Sequence, residues 1–139
     1  MREQLPEAYA RASAVLAISE WLCFRLCGER VAEPSQASET LVFDIHRRAW
    51  DPDRMDALGL GAGMFPPLVD AGTRVGSLGR DAAAVLGLVA GIPVVAGGAD
   101  TQCGLLGVGV AAEGGLGAIT GTTAPVQLCL ARPQLDPDG

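Results

Sequence analysis

The sequence predicts an α/β fold, and three stretches carry that prediction. EWLCFRLCGE (20–29) is rich in helix formers and closes on a glycine. AAAVLGLVAGIPVVAGGA (82–99) reads as a short helix, a turn at AGIP and a buried strand, VVAGG. GLGAITGTTAPVQLCL (115–130) reads as two strands joined by a tight turn at Gly-Thr-Thr.

The other elements follow in order. PEAYARASAV (6–15) opens on proline and glutamate, good first-turn residues, and continues in helix formers. Ser19 is placed to cap the next helix, whose Trp21, Leu22, Phe24 and Leu26 would face a core, and Gly28 fits its stop. ERVAEPSQASET (29–40) reads as a polar loop and LVFDI (41–45) as an apolar extended segment. Asp51 reads as the cap of a short helix, PDRMDALGL, again closed by glycine. Pro-Pro and Ala-Gly divide MFPPLVDAGTRVGSL (64–78) into short extended pieces. After Asp100, the small residues of TQCGLLGVGVAA (101–112) allow a closely packed helix. The polar tail ARPQLDPDG closes no element, and a lone hairpin before it is marginal in water. The chain therefore reads as a middle piece of something longer.

Composition narrows the function. A chain of 139 residues with 49% apolar and 19% charged residues is the size and character of one globular domain. A net charge of −6 without any basic stripe argues against nucleic acid. All 10 cationic residues are arginine, so Schiff-base chemistry and a Walker-type phosphate lysine are excluded within this chain. Cys23, Cys27, Cys103 and Cys129 form no paired CxxC motifs, and His46 adds little as a ligand, so they read as reduced thiols of a cytoplasmic protein. The uncharged run 82–99 is broken by four glycines and a proline, which argues against a membrane span, and MREQLPEAYA does not read as a signal peptide. GLGAG (59–63) sits in a loop context and gives no GxGxxG dinucleotide fingerprint.

One carboxylate stands apart. Asp100 has no charged neighbour back to Asp81 or forward to Glu113. An ionised acid taken from water without a partner is heavily penalised, so it has a task or marks a return to solvent. On local signals a strand-end Asp before a helix is a cap, and a Gly-Thr-Thr turn is simply a hairpin. A carboxylate on a rigid strand end can also act as a base while sitting at a helix start. A hairpin turn with Gly121 can direct successive N–H groups at anionic oxygens, with the Thr122 and Thr123 hydroxyls adding donors. Glu113 reads as a solvated loop charge, His46 as a surface residue, and Trp21 and Trp50 as packing residues.

Five blocks occur here in a familiar order: ISEWLCFRLCGE, SQASETLVFDIHRRAWD, LGL with FPPLVDAGTRVGSL, GIPVVAGGADTQCGLLGVG, and ITGTTAPVQL. Over essentially its whole length the chain resembles the FGGY carbohydrate kinases. That resemblance implies a ribonuclease H-like fold of the actin/hexokinase ATPase type, present in part. Residues 1–112 would be the closing part of the sugar-binding domain, and 113–139 the opening hairpin of the nucleotide-binding domain. It further implies Asp100 as the base for a sugar or polyol hydroxyl, with Thr101 and Gln102 contacting the sugar. Gly121 and Thr122 would contact the phosphates of ATP, with the Thr123 hydroxyl of the same turn as a further donor. Mg²⁺ is implied too, its ligands mostly outside this chain, and a homodimer is compatible. The competing reading is a truncated or scaffold fragment without activity of its own. GGAD, where many members have three glycines, and DTQCGLLG leave the acceptor as a ketose, polyol or sugar acid.

Overall fold

The structure, a computed structural model, describes residues 3–135. Helix α1 (Pro6–Arg11) starts on its proline, and the chain then runs extended to Ala17, so the first helix is shorter than its composition predicts. Helix α2 (Ile18–Cys27) does not use Ser19 as its cap. Ala17 holds that position, and Glu20 reaches back to accept the Ala17 N–H at 2.7 Å. Burial raises the Glu20 pKa above the ordinary 4.5, against the lowering effect of that hydrogen bond. Gly28 ends α2 at φ 81°, the left-handed stop read from the sequence. The expectation that Trp21 and Leu22 face a core fails, since each is 49% exposed. Arg25 lies over the Trp21 ring at 5.8 Å instead. Within α2 the Cys23 and Cys27 sulfurs lie 3.9 Å apart, and burial pushes the Cys23 thiol up to about 11. Both are free thiols.

The segment 29–40 is not all loop. Glu33 caps a one-turn helix, α3 (Pro34–Ala37), which continues into a 3-10 turn at Ser38–Thr40. The small core gathers here: Ala32, Ala37, Val42, Phe43 and Met55 are buried. Strands β1 (Phe43–Asp44) and β2 (Ala49–Trp50) form a tight hairpin, its turn pinned by Asp44. The Asp44 carboxylate accepts the His46 and Arg47 N–H groups at 2.8 and 2.9 Å and pairs with the Arg47 guanidinium at 2.6 Å. Trp50 packs edge-on against Phe43 and tilted against Phe65, with ring centroids at 6.0 and 5.0 Å, as a packing residue. Helix α4 (Pro52–Ala57) is capped by Asp51, which accepts the Arg54 N–H at 3.1 Å, as the sequence predicts.

Strand β3 (Arg74–Ser77), helix α5 (Arg80–Leu86) and strand β4 (Pro93–Val95) make a strand–helix–strand unit whose strands pair antiparallel. The buried strand expected at VVAGG is shorter and more open: β4 starts at Pro93, and Val95 is 51% exposed. Gly97 and Gly98 lie beyond the strand, leading into helix α6 (Asp100–Gly107). Strands β5 (Leu116–Ala118) and β6 (Val126–Leu128) form the predicted hairpin. The described residues thus hold three two-stranded antiparallel sheets and six α-helices. No helix is long and apolar enough to cross a membrane among these residues.

Candidate functional site

Asp100 begins α6 without capping it. Ala99 is the N-cap, extended at φ −60° and ψ 142°, and Asp100 is the first helical residue. The cap reading is thereby corrected. A carboxylate in the first turn still benefits from the positive end of the helix dipole. Its side chain is exposed, and the Thr101 hydroxyl donates to Oδ1 at 3.3 Å. Gln102 lies two positions on, about 200° around the helix. It lines a groove with Leu105, Val110, Gln127 and Cys129, so it does not share a face with Asp100.

The peptide before Asp100 is tied at both ends. The Ala96 N–H donates to the Thr73 carbonyl at 2.9 Å, and its own carbonyl accepts the Gly72 N–H at 2.8 Å. Ala99, only 3% exposed, donates its N–H to the Ser35 hydroxyl oxygen at 2.8 Å. The Ser35 hydroxyl in turn donates to the Glu33 carboxylate, which also accepts the Ser35 and Gln36 N–H groups at 2.9 and 3.3 Å. A Cβ on Gly98 would stand 3.2 Å from the Cys103 sulfur and 3.4 Å from the Ser35 oxygen, so glycine gives this strand end its clearance. Reading 29–40 as plain loop missed Ser35 and Glu33. Pro34 after a side chain able to accept N–H bonds was the available signal for a helix start.

The hairpin lies on α6 through positions without side chains. A Cβ on Gly115 would meet Val110, one on Gly117 would collide with Leu105, and one on Gly104 would stand 2.9 Å from Ile119. On the helix itself Leu105 faces Gly117 and Gly104 faces Ile119, while Gly115 faces Val110 beyond the end of α6. In the 120–124 turn the Gly121 N–H donates to the Thr123 carbonyl at 2.8 Å, so this amide is already committed. Thr122 and Thr123 are exposed. Chemically, the start of α6 offers a solvated carboxylate, and the hairpin packed on that helix carries a turn bearing two exposed hydroxyls. No group of three or more acidic, histidine or cysteine side chains gathers to hold a metal among the described residues. The donor set here does not by itself fit Mg²⁺.

Residues 1–107 match the N-terminal domain of the FGGY family of carbohydrate kinases. The chain is 39% identical over 132 residues to the autoinducer-2 kinase of Escherichia coli K12, covering 95% of this chain and 25% of that protein. To the autoinducer-2 kinase of Yersinia enterocolitica it is 38% identical over 133 residues, covering 96% of this chain and 25% of the relative. The chain thus spans about a quarter of the length of the curated relatives it matches. Among solved structures, a xylulose kinase from Lactobacillus acidophilus superposes with a TM-score of 0.89 at 20% identity, over 99% of this chain and 28% of that one. A carbohydrate kinase from Novosphingobium aromaticivorans gives 0.74 at 28% identity, over 96% of this chain and 29% of that one. The fold of these neighbours is the actin/hexokinase-like ATPase fold, and the chain belongs to the FGGY family of carbohydrate kinases.

Proposed function

We propose that this chain is part of an ATP-dependent carbohydrate kinase in which Asp100 is the general base. The observation that carries the reading is the exposed Asp100 carboxylate in the first turn of α6, the helix against which the hairpin bearing Gly121, Thr122 and Thr123 packs. Phosphoryl transfer to an alcohol needs a proton acceptor at the hydroxyl and a holder for the phosphate. The acceptor hydroxyl gives its proton to the Asp100 carboxylate as its oxygen bonds to the γ-phosphorus, and the bond from that phosphorus to the β-phosphate oxygen breaks. ATP supplies the phosphoryl group. Base catalysis of this kind is worth about 10²–10⁴ in rate. With Gly121 committed inside its turn, the phosphate-facing groups are the N–H groups and hydroxyls of Thr122 and Thr123. Thr101, beside Asp100, suits a sugar contact; Gln102, in the hairpin groove, has less support.

The likeness to autoinducer-2 kinases and to structures named for sugars supports a sugar or polyol acceptor, and its dependence on ATP suits a cytoplasmic enzyme. Residues 1–112 would close the sugar-binding domain and 113–139 open the nucleotide-binding one. Support comes from large exposed apolar side chains, such as Val85 at 87% and Val126 at 66%, which further chain would cover. The second reading, that residues 1–139 alone are inert, is favoured by their covering about a quarter of each relative. In the full-length enzyme carrying this segment, Asp100→Asn lowers kcat by at least about 10²-fold while sugar KM stays within about threefold. Normal turnover in that variant would overturn the base assignment, and sugar-dependent ATP consumption by purified 1–139 would overturn the inert reading.

A further inference from the structure

We propose that Ser35, braced by Glu33, is the positioning residue that aims Asp100, an inference that rests on the base reading above. Asp100 has little of its own to hold it: the side chain is exposed, and among the described residues its one side-chain hydrogen bond is from the neighbouring threonine hydroxyl at 3.3 Å. Its direction is therefore set by the backbone that enters α6. That backbone is held at Ala96 by its bonds to Thr73 and Gly72 and, next to Asp100 itself, by the buried Ala99 N–H to the Ser35 oxygen at 2.8 Å, across 64 positions. The bond has a defined polarity. An ionised carboxylate only accepts, so the Ser35 proton points to Glu33 and the serine lone pairs are left to face Ala99. Glu33 is itself held, as the N-cap of α3, by the Ser35 and Gln36 N–H groups. A carboxylate acceptor makes the first link a charge-assisted one. Glu33, Ser35, the 98–99 peptide and the Asp100 Cα thus form one rigid line, with Gly98 leaving room for Ser35.

Removing the hydroxyl leaves a buried N–H without a partner and frees the peptide to rotate. A displacement of about 1 Å at a reacting group costs on the order of 10²-fold in rate. In the full-length enzyme, Ser35→Ala is expected to lower kcat about 10–100-fold with sugar KM within about threefold, and Ser35→Thr to restore it. A positioning role predicts that Ser35→Ala adds no further loss in an Asp100→Asn background, whereas a general loss of structure lowers both backgrounds alike. Hydrogen exchange at the Ala99 amide supplies a readout independent of turnover. It is expected to be at least about tenfold faster in Ser35→Ala than in wild type or Ser35→Thr. If Ser35→Ala does not accumulate folded, Glu33→Gln carries the test, with a loss of about 3–10-fold from replacing a charged acceptor by a neutral one.

Full kcat in Ser35→Ala beside an inactive Asp100→Asn overturns this proposal and leaves the base reading standing. Equal losses in both backgrounds, or no rescue by threonine, overturn it as well. Normal turnover in Asp100→Asn overturns the base reading and the aiming role together. Unchanged Ala99 exchange then shows that Ser35 does not hold the peptide either.

Discussion

The Leu105 side chain fills the space into which a Cβ on Gly117 would project, so β5 lies directly on α6. Gly117→Ala forces Leu105 aside in a close-packed contact, at a cost of about 1–3 kcal/mol. Gly107, at the end of the same helix, has nothing within 4 Å of its Cβ position. Gly107→Ala there gains helix propensity, and about 0.5–1 kcal/mol of stability. Urea unfolding of both variants checks the opposite signs; a Gly117→Ala protein as stable as wild type would show that the contact yields freely.

Asp44 gives the fold an acid-side weakness. Hydrogen bonds from the Arg47 N–H and guanidinium, with help from the His46 N–H, hold its carboxyl at about 2, against the ordinary 3.8. Because the folded value is the lower one, the stability this group contributes is complete above about 3.8 and is lost as the pH falls through 2. Asp44→Asn is expected to flatten the decline of Tm between those two values. Parallel wild-type and variant Tm curves over that range would refute the assignment.

Glu20 acts in the opposite sense. Burial lifts its pKa above 4.5, so the folded state holds this proton more tightly than the unfolded chain does. Its contribution to stability therefore falls as the pH rises above 4.5 and through the folded value. Glu20→Gln keeps an acceptor for the Ala17 N–H and removes the titration. The variant is expected to gain on wild type between pH 4.5 and neutrality, read as the difference in urea midpoint. A difference constant with pH would rule this out.

Local signals in the sequence match the structure closely, and features that depend on distant partners do not show in the sequence. Gly28 as a helix stop, Asp51 as a cap and the hairpin around Gly121 each depend on a few neighbouring residues, and each stands as expected. Ser19 does not cap α2, since Ala17 holds that position and Glu20 binds its amide, a competition between adjacent candidates that spacing alone does not decide. The helical period around Trp21 and Leu22 marks an apolar face, but says nothing of what covers it. At the candidate site, Asp100 stood out by its charge isolation, yet its role as first helical residue depended on how the chain leaves β4. Ser35 and Glu33 were invisible because their partner, Ala99, lies 64 positions from Ser35 and carries no side-chain signature of the bond.

The glycine contacts between α6 and its hairpin join near neighbours in the chain: Gly104 meets Ile119, and Leu105 meets Gly117. The Ser35–Ala99 bond closes a loop about five times longer, which costs about 1.5 kcal/mol more in chain entropy. On refolding, short closures form first and distant ones afterwards. The helix bearing the carboxylate thus gains its hairpin early and its final orientation late.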